Sequence, residues 1–208
     1  MNKPNDWDAV SAYGEYKALP AGGYICKVMN VEESESKGGY PMIRIFLDIA
    51  EGTFSNYYAD AYRADTRDSK KWGCIVYQLT QDSKDHSKTS RGLKTFVTSV
   101  EESNKGFAVV WGDRFAECFK NKYVGCIFRR EQYIGDDGKE RWNTKPYQFR
   151  SVDTIRKGVE IPEDKYADGH EPIRAAAPAS TSQPQSMKTD EQLMAEFQEV
   201  ISEQDLPF

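Results

Sequence analysis

Between residues 128 and 150 the sequence interleaves cations with flat rings: Arg129, Arg130, Arg141, Lys145 and Arg150 alternate with Phe128, Tyr133, Trp142, Tyr147 and Phe149. A surface that holds a bare nucleic-acid strand needs both parts. Cations track the phosphates, and each ring stacked on a base contributes roughly 1–3 kcal/mol without reading sequence. The candidates on this stretch are Arg129, Arg130, Trp142, Lys145 and Tyr147. Regular strand alternation would put Arg141, Lys145, Tyr147 and Phe149 on one side and Trp142 on the other, so not every ring can meet the same ligand. Phe128 and Phe149 read as core. A second patch gathers Tyr57, Tyr58, Tyr62 and Arg63, with Lys70, Lys71 and Trp72 beyond them. Its candidates are Tyr57, Tyr62, Arg63 and Trp72, joined by Arg44, which points away from the apolar face of its own strand.

The far end of the chain carries a different chemistry. From Glu160 onward eleven acids face three bases, whereas residues 1–159 carry 25 Lys and Arg against 22 Asp and Glu. A mildly basic body therefore trails an acidic arm. The arm ends in Glu203-Gln204-Asp205-Leu206-Pro207-Phe208. Asp205, Leu206, Pro207 and Phe208 offer a partner an aromatic ring, a rigid bend and a terminal carboxylate, which suits capture in an apolar pocket beside an Arg or Lys. This tip resembles the C-terminus of bacterial and phage single-stranded DNA-binding proteins, which closes on Ile-Pro-Phe or Leu-Pro-Phe. The resemblance implies recruitment of replication and repair proteins. The plain alternative is an acidic, disordered end that keeps the protein in solution. An acidic arm could also occupy a basic groove when DNA is absent.

Catalytic chemistry finds little support. Asp48 with Glu51 is the nearest approach to a carboxylate pair for Mg²⁺, and it reads better as the close of a strand. No Gly-rich phosphate loop followed by Lys-Ser or Lys-Thr occurs. His86 and His170 lie in charged, loop-like stretches and read as surface residues. Cys26, Cys74, Cys118 and Cys126 are widely spaced in apolar contexts, which fits reduced core thiols better than disulfides or a zinc site. No catalytic residue, metal or cofactor is expected. No stretch reaches the 18 apolar residues of a membrane span, and the N-terminus lacks a signal peptide's apolar run. The expectation is a cytoplasmic protein.

The elements that must position these groups are mostly strands. Residues 24–31 alternate and are rich in β-branched side chains. Residues 42–49 put Ile43, Ile45, Leu47 and Ile49 on one face. Residues 56–63 read as a third strand in an antiparallel meander, and residues 72–79 as a short extended element or a helix start. Leu93, Phe96, Val97 and Val100 fall at helical spacing after Thr89 or Ser90 as N-cap. Residues 113–120 could form a second short helix. Residues 123–134 and 141–150 are two strands joined by Gly135-Asp136-Asp137-Gly138-Lys139, a hairpin tip, with Pro146 marking an edge or a bulge. Three strands, a helix and two strands are the element order of an OB-fold, a five-stranded Greek-key barrel that binds oligonucleotides on its strands and loops. The expected class is thus mainly β, with one or two short helices and a disordered acidic C-terminal tail. The expected layout is an arm over 1–18, the barrel over 19–159, a linker over 160–188, and an amphipathic helix with docking tip over 189–208.

The body is similar to a family of small proteins encoded in phages and prophages of Gram-positive bacteria. The similarity rests on Leu19-Pro20-Ala21-Gly22-Gly23-Tyr24, Asp48-Ile49-Ala50-Glu51-Gly52, Gly92-Leu93-Lys94 with Glu102-Ser103-Asn104, and the stretch from Gly125 to Ser151. It implies an accessory protein of phage replication or recombination. The expected function is single-stranded DNA binding without sequence preference, with host or phage replication proteins as partners of the tail and self-association left open. The alternatives are an adaptor or inhibitor that mimics the host tail without touching DNA, and a strand-annealing recombination protein.

Overall fold

The computed structural model describes residues 18–168, together with Lys3. The expected arm anchors, most of the linker, the amphipathic helix and the docking tip at Asp205, Leu206, Pro207 and Phe208 lie outside the described residues. Two long apolar alternations start the sheet. Strand β1 spans Gly22–Glu35 and β2 spans Pro41–Ile49, paired antiparallel from Cys26 opposite Ile49 to Glu35 opposite Pro41. Alternation buries Ile43, Ile45, Leu47 and Ile49 from β2. In β1 it buries Cys26 and Val28, and a register shift between Val28 and Asn30 then brings Val31 into the core as well.

The next element overturns an expectation. Residues 56–63 do not form a strand: Tyr57–Ala64 is helix α1. Tyrosines favour strands, but the run also contains three alanines, which favour helix. The deciding contact is remote in sequence. The buried Asp48 carboxylate at the end of β2 accepts from the backbone N–H groups of Tyr58 at 2.9 Å and Ala59 at 3.3 Å, as well as from Ile49 at 2.9 Å. First-turn donors that lack an intrahelical acceptor are thereby satisfied. Asn56 supplies the turn into the helix from the left-handed region at φ 60°. The third strand, β3, is instead Ile75–Leu79, which pairs antiparallel with β2.

Helix α2, Arg91–Ser103, buries Leu93, Phe96, Val97 and Val100, as their spacing predicts. Ser90 is its N-cap, yet its hydroxyl makes no cap hydrogen bond; it accepts from Gln78 Nε2 at 2.9 Å. At the other end Asn104 Nδ2 donates to the carbonyls of Val100 and Tyr123, while its Oδ1 accepts from Tyr123 N–H, which pins the helix to the start of the next strand. A single turn, α3 (Phe115–Cys118), leads into β4, Tyr123–Ile134. Strand β5 spans Glu140–Arg150, and α4 spans Val152–Lys157. Nothing in the sequence pattern set α4 apart from its surroundings. It lies close over β4 because residue 125 is a glycine: a Cβ there would come within 2.5 Å of Ile155 and 2.7 Å of the Ser151 carbonyl.

The sheet has five strands in the order β3-β2-β1-β4-β5, every ladder antiparallel. It is open, with β3 and β5 as its edges. Pro146 sits where the sequence placed it, on an edge strand and beside a bulge. Ile127 faces Gln148 while Phe128 faces Pro146, so Tyr147 is the extra residue. The tip between β4 and β5 closes with Gly135 N–H donating to Lys139 O and Gly138 N–H to Gly135 O, and Gly138 supplies the positive φ of 73°. Cys26, Cys74 and Cys126 are buried free thiols. Burial pushes all three up, Cys74 to about 12, so they rest as neutral core side chains. No helix among the described residues is long and apolar enough to cross a membrane.

Candidate nucleic-acid interface

The β4–β5 hairpin outruns the rest of the sheet. Strand β1 pairs with β4 only as far as Gly22 opposite Phe128, so residues 129–134 project with β5 as a two-stranded ribbon. The bulge at Tyr147 then decides which side chains share a face. Phe149 faces Cys126 and turns into the core, where it packs against Phe96, whereas Lys145 faces Arg129 on the opposite side. The regular alternation that grouped Arg141, Lys145, Tyr147 and Phe149 is thereby corrected, because one inserted residue reverses the facing of everything beyond it.

On the outer face of the ribbon the Arg129 guanidinium lies 4.3 Å from the Tyr147 ring centroid, and Arg129 and Lys145 converge on Glu131 at 2.7 and 3.6 Å. Burial pushes the Glu131 carboxyl up, but the hydrogen bond from Arg129 and the charges of Lys145, Arg129 and Lys165 outweigh it and hold the group below its usual range. One carboxylate thus serves two cations and leaves a net positive charge. On the other face the Arg130 guanidinium stacks 4.5 Å from the Trp142 centroid. Both stacking rings remain accessible, Trp142 at 37% and Tyr147 at 51%. Arg130 also lies 3.6 Å from Asp164, and Arg141 pairs with Asp137 at the hairpin tip. Arg129, Arg130, Arg141 and Lys145 therefore each have a carboxylate at hand.

Arg130 and Trp142 line a cleft of about 590 Å³ together with Leu19, Pro20 and Ala21, Tyr57 and Tyr58 from α1, and Asp164. Tyr57 thus joins the hairpin residues at one site. It is partly buried against Phe54 and Tyr58, and it reaches the cleft from a helix, not from a strand. Tyr58, the core member of the pair, is buried.

The rest of the second patch serves structure more than ligand. Trp72 donates its indole N–H to Leu47 O at 2.7 Å and packs on the core. Tyr62 leans on Trp72, with Lys70 over its ring at 4.5 Å, and Arg63 pairs with Asp60 one turn away. Arg44 stands on β2 in an ion pair with Glu32, and its Nε is buried without a partner. Its neighbour across the ladder is Tyr77 on β3, 62% exposed and absent from the sequence-derived set. Tyr77 was legible only as part of an ambiguous segment, because its facing depends on which stretch forms the third strand. Trp111, 65% exposed and stacked on Phe115, was likewise passed over. His86, read as a surface residue, is exposed and stacks on Tyr40. Among the described residues no three His, Cys, Asp or Glu side chains converge as metal ligands.

No protein-family model matches the chain, and a search of curated proteins likewise returns no match.

Proposed function

We propose that the protein binds single-stranded DNA without sequence preference, through the projecting β4–β5 ribbon and the cleft beside it. The observation that carries this reading is the Arg130–Trp142 stack at the mouth of that cleft, where a cation and an accessible ring offer the two contacts a nucleotide requires. The Arg129–Tyr147 pair repeats the arrangement on the other face. Ion pairing of the hairpin cations does not abolish the reading. Exposed pairs contribute at most about 1 kcal/mol, and a phosphate can take the carboxylate's place. Only the Arg129–Glu131 pair is sheltered on both sides, at 21% and 23% side-chain exposure.

The strand order supports an OB-type barrel opened between β3 and β5. The β4 strand returns beside β1, giving the spatial order 4-1-2-3 of a Greek key, and α2 fills the connection from β3 to β4. In that architecture the β2–β3 face is a binding platform, which brings Arg44 and Tyr77 into the path of a strand leaving the hairpin. The resemblance of the body to phage-encoded proteins, and of the tip to single-stranded DNA-binding proteins, supports a proposed role in phage DNA replication or recombination, with Asp205, Leu206, Pro207 and Phe208 as the proposed docking tip for partner proteins.

The test is a titration with fluorescent oligo-dT across a salt series. Binding that weakens as salt rises supports the reading, and no binding at low salt refutes it. One observation favours a second reading, an adaptor that holds no nucleic acid: Arg129, Arg130, Arg141 and Lys145 each already have an acid neighbour. The same titration separates the two.

A further inference from the structure

We infer that residues 163–167 are an internal substitute for a nucleotide, docked on Arg130 and Trp142 and displaced when a single strand enters. This rests on the reading that the hairpin holds single-stranded nucleic acid, and it adds how access to that site is controlled.

Beyond Phe128 the edge of β4 is left unpaired by β1, and the chain returning from α4 fills it. Lys165 N–H donates to Arg130 O at 2.9 Å, Gln132 N–H donates to Lys165 O at 2.8 Å, and Gln132 Oε1 accepts from Ala167 N–H at 3.2 Å. On either side of that anchor two side chains occupy the site. Asp164 places an anion 3.6 Å from Arg130, and Tyr166 places its ring at 83° to Trp142 with centroids 5.2 Å apart. A carboxylate two residues from an aromatic ring reproduces the phosphate and base of one nucleotide, on the cation and the ring that would receive them.

The backbone pairing is short. The ladder between the segment and β4 amounts to one isolated bridge, Glu131 to Lys165, and a lone bridge lacks the neighbouring pairs that make sheets cooperative. Ile161, on the approach to it, stays 61% exposed. A strand that brings several phosphates and bases can therefore outcompete this stand-in. A ligand that must first displace a docked segment binds more weakly by the fraction of time the site is open.

The experiment uses the full chain and fluorescent oligo-dT. The double variant Asp164→Asn/Tyr166→Ala should bind about tenfold tighter than the wild type, the gain set by how rarely the site is open. In the wild type, saturating oligo-dT should accelerate hydrogen exchange at the amides of Lys165 and Gln132, which the docked segment protects. Unchanged or weaker binding by the double variant, or retained protection of those amides in the saturated complex, overturns the inference. If Arg130→Ala and Trp142→Ala weaken binding while the double variant leaves it unchanged, the inference falls and the binding reading stands. If the wild type and the double variant both fail to bind, both fall.

Discussion

Arg129 and Arg130 are adjacent in sequence, yet their guanidinium groups stack on rings from opposite faces of one ribbon, Arg129 at 4.3 Å from Tyr147 and Arg130 at 4.5 Å from Trp142. Strand alternation forces the two apart. A single strand cannot lie on both faces at the same point, so the two pairs should contribute unequally.

Trp142, at the cleft, is expected to be the stronger contributor. Trp142→Ala should weaken oligo-dT binding by roughly 1–3 kcal/mol, and Tyr147→Ala by less, with Trp142→Phe retaining most of the affinity. Fluorescence anisotropy at fixed salt measures all three. Equal losses at the two positions would show that the strand wraps the ribbon instead of entering the cleft.

Salt dependence isolates the phosphate contact. Arg130→Ala should lower the slope of log affinity against log salt by about 0.7, the contribution of one phosphate on a single strand. Arg63→Ala, which removes an exposed charge already paired with Asp60 on α1, should leave the slope unchanged.

The Asp48 carboxylate should matter to stability. Asp48→Ala orphans buried backbone donors at Tyr58 and Ala59 and should cost about 2–4 kcal/mol in chemical denaturation, whereas Asp48→Asn, which keeps one acceptor oxygen, should cost less. Burial holds this carboxyl above its ordinary value of 3.8, against the pull of its three backbone hydrogen bonds. A raised folded-state value means that the stabilisation is full below 3.8 and is lost as pH rises through the higher folded value. The wild type should therefore gain on Asp48→Asn as the pH is lowered through that window. A stability difference that is flat with pH would contradict it.

Gly125→Ala should destabilise by roughly 1–3 kcal/mol, because the added methyl meets two backbone carbonyls and Ile155, none of which is a flexible side-chain end. Thermal unfolding measures the loss. Wild-type stability in this variant would show that α4 is not held against β4 in solution.

The chain by itself determined whatever depends on near neighbours. Period-two alternation located β1 and β2, helical spacing located α2, Asp-Gly located the tip of the hairpin formed by β4 and β5, and Pro146 marked an edge or a bulge. It also named the rings and cations of the ribbon, since composition alone set them apart. Only the tertiary structure decided the rest, because the deciding contacts join residues far apart in sequence. Tyr57–Ala64 is a helix because a carboxylate ten residues before Tyr58 accepts from its first turn. Tyr77 faces solvent because β3 is the strand that pairs with β2. The extra residue at Tyr147 sends Phe149 inward and Lys145 outward, and Asp164 reaches Arg130 because β1 begins at Gly22 and leaves the β4 edge beyond Phe128 for the returning chain to fill. Local pattern fixes which face a residue shares with its neighbours; partners brought together by folding set what that face meets.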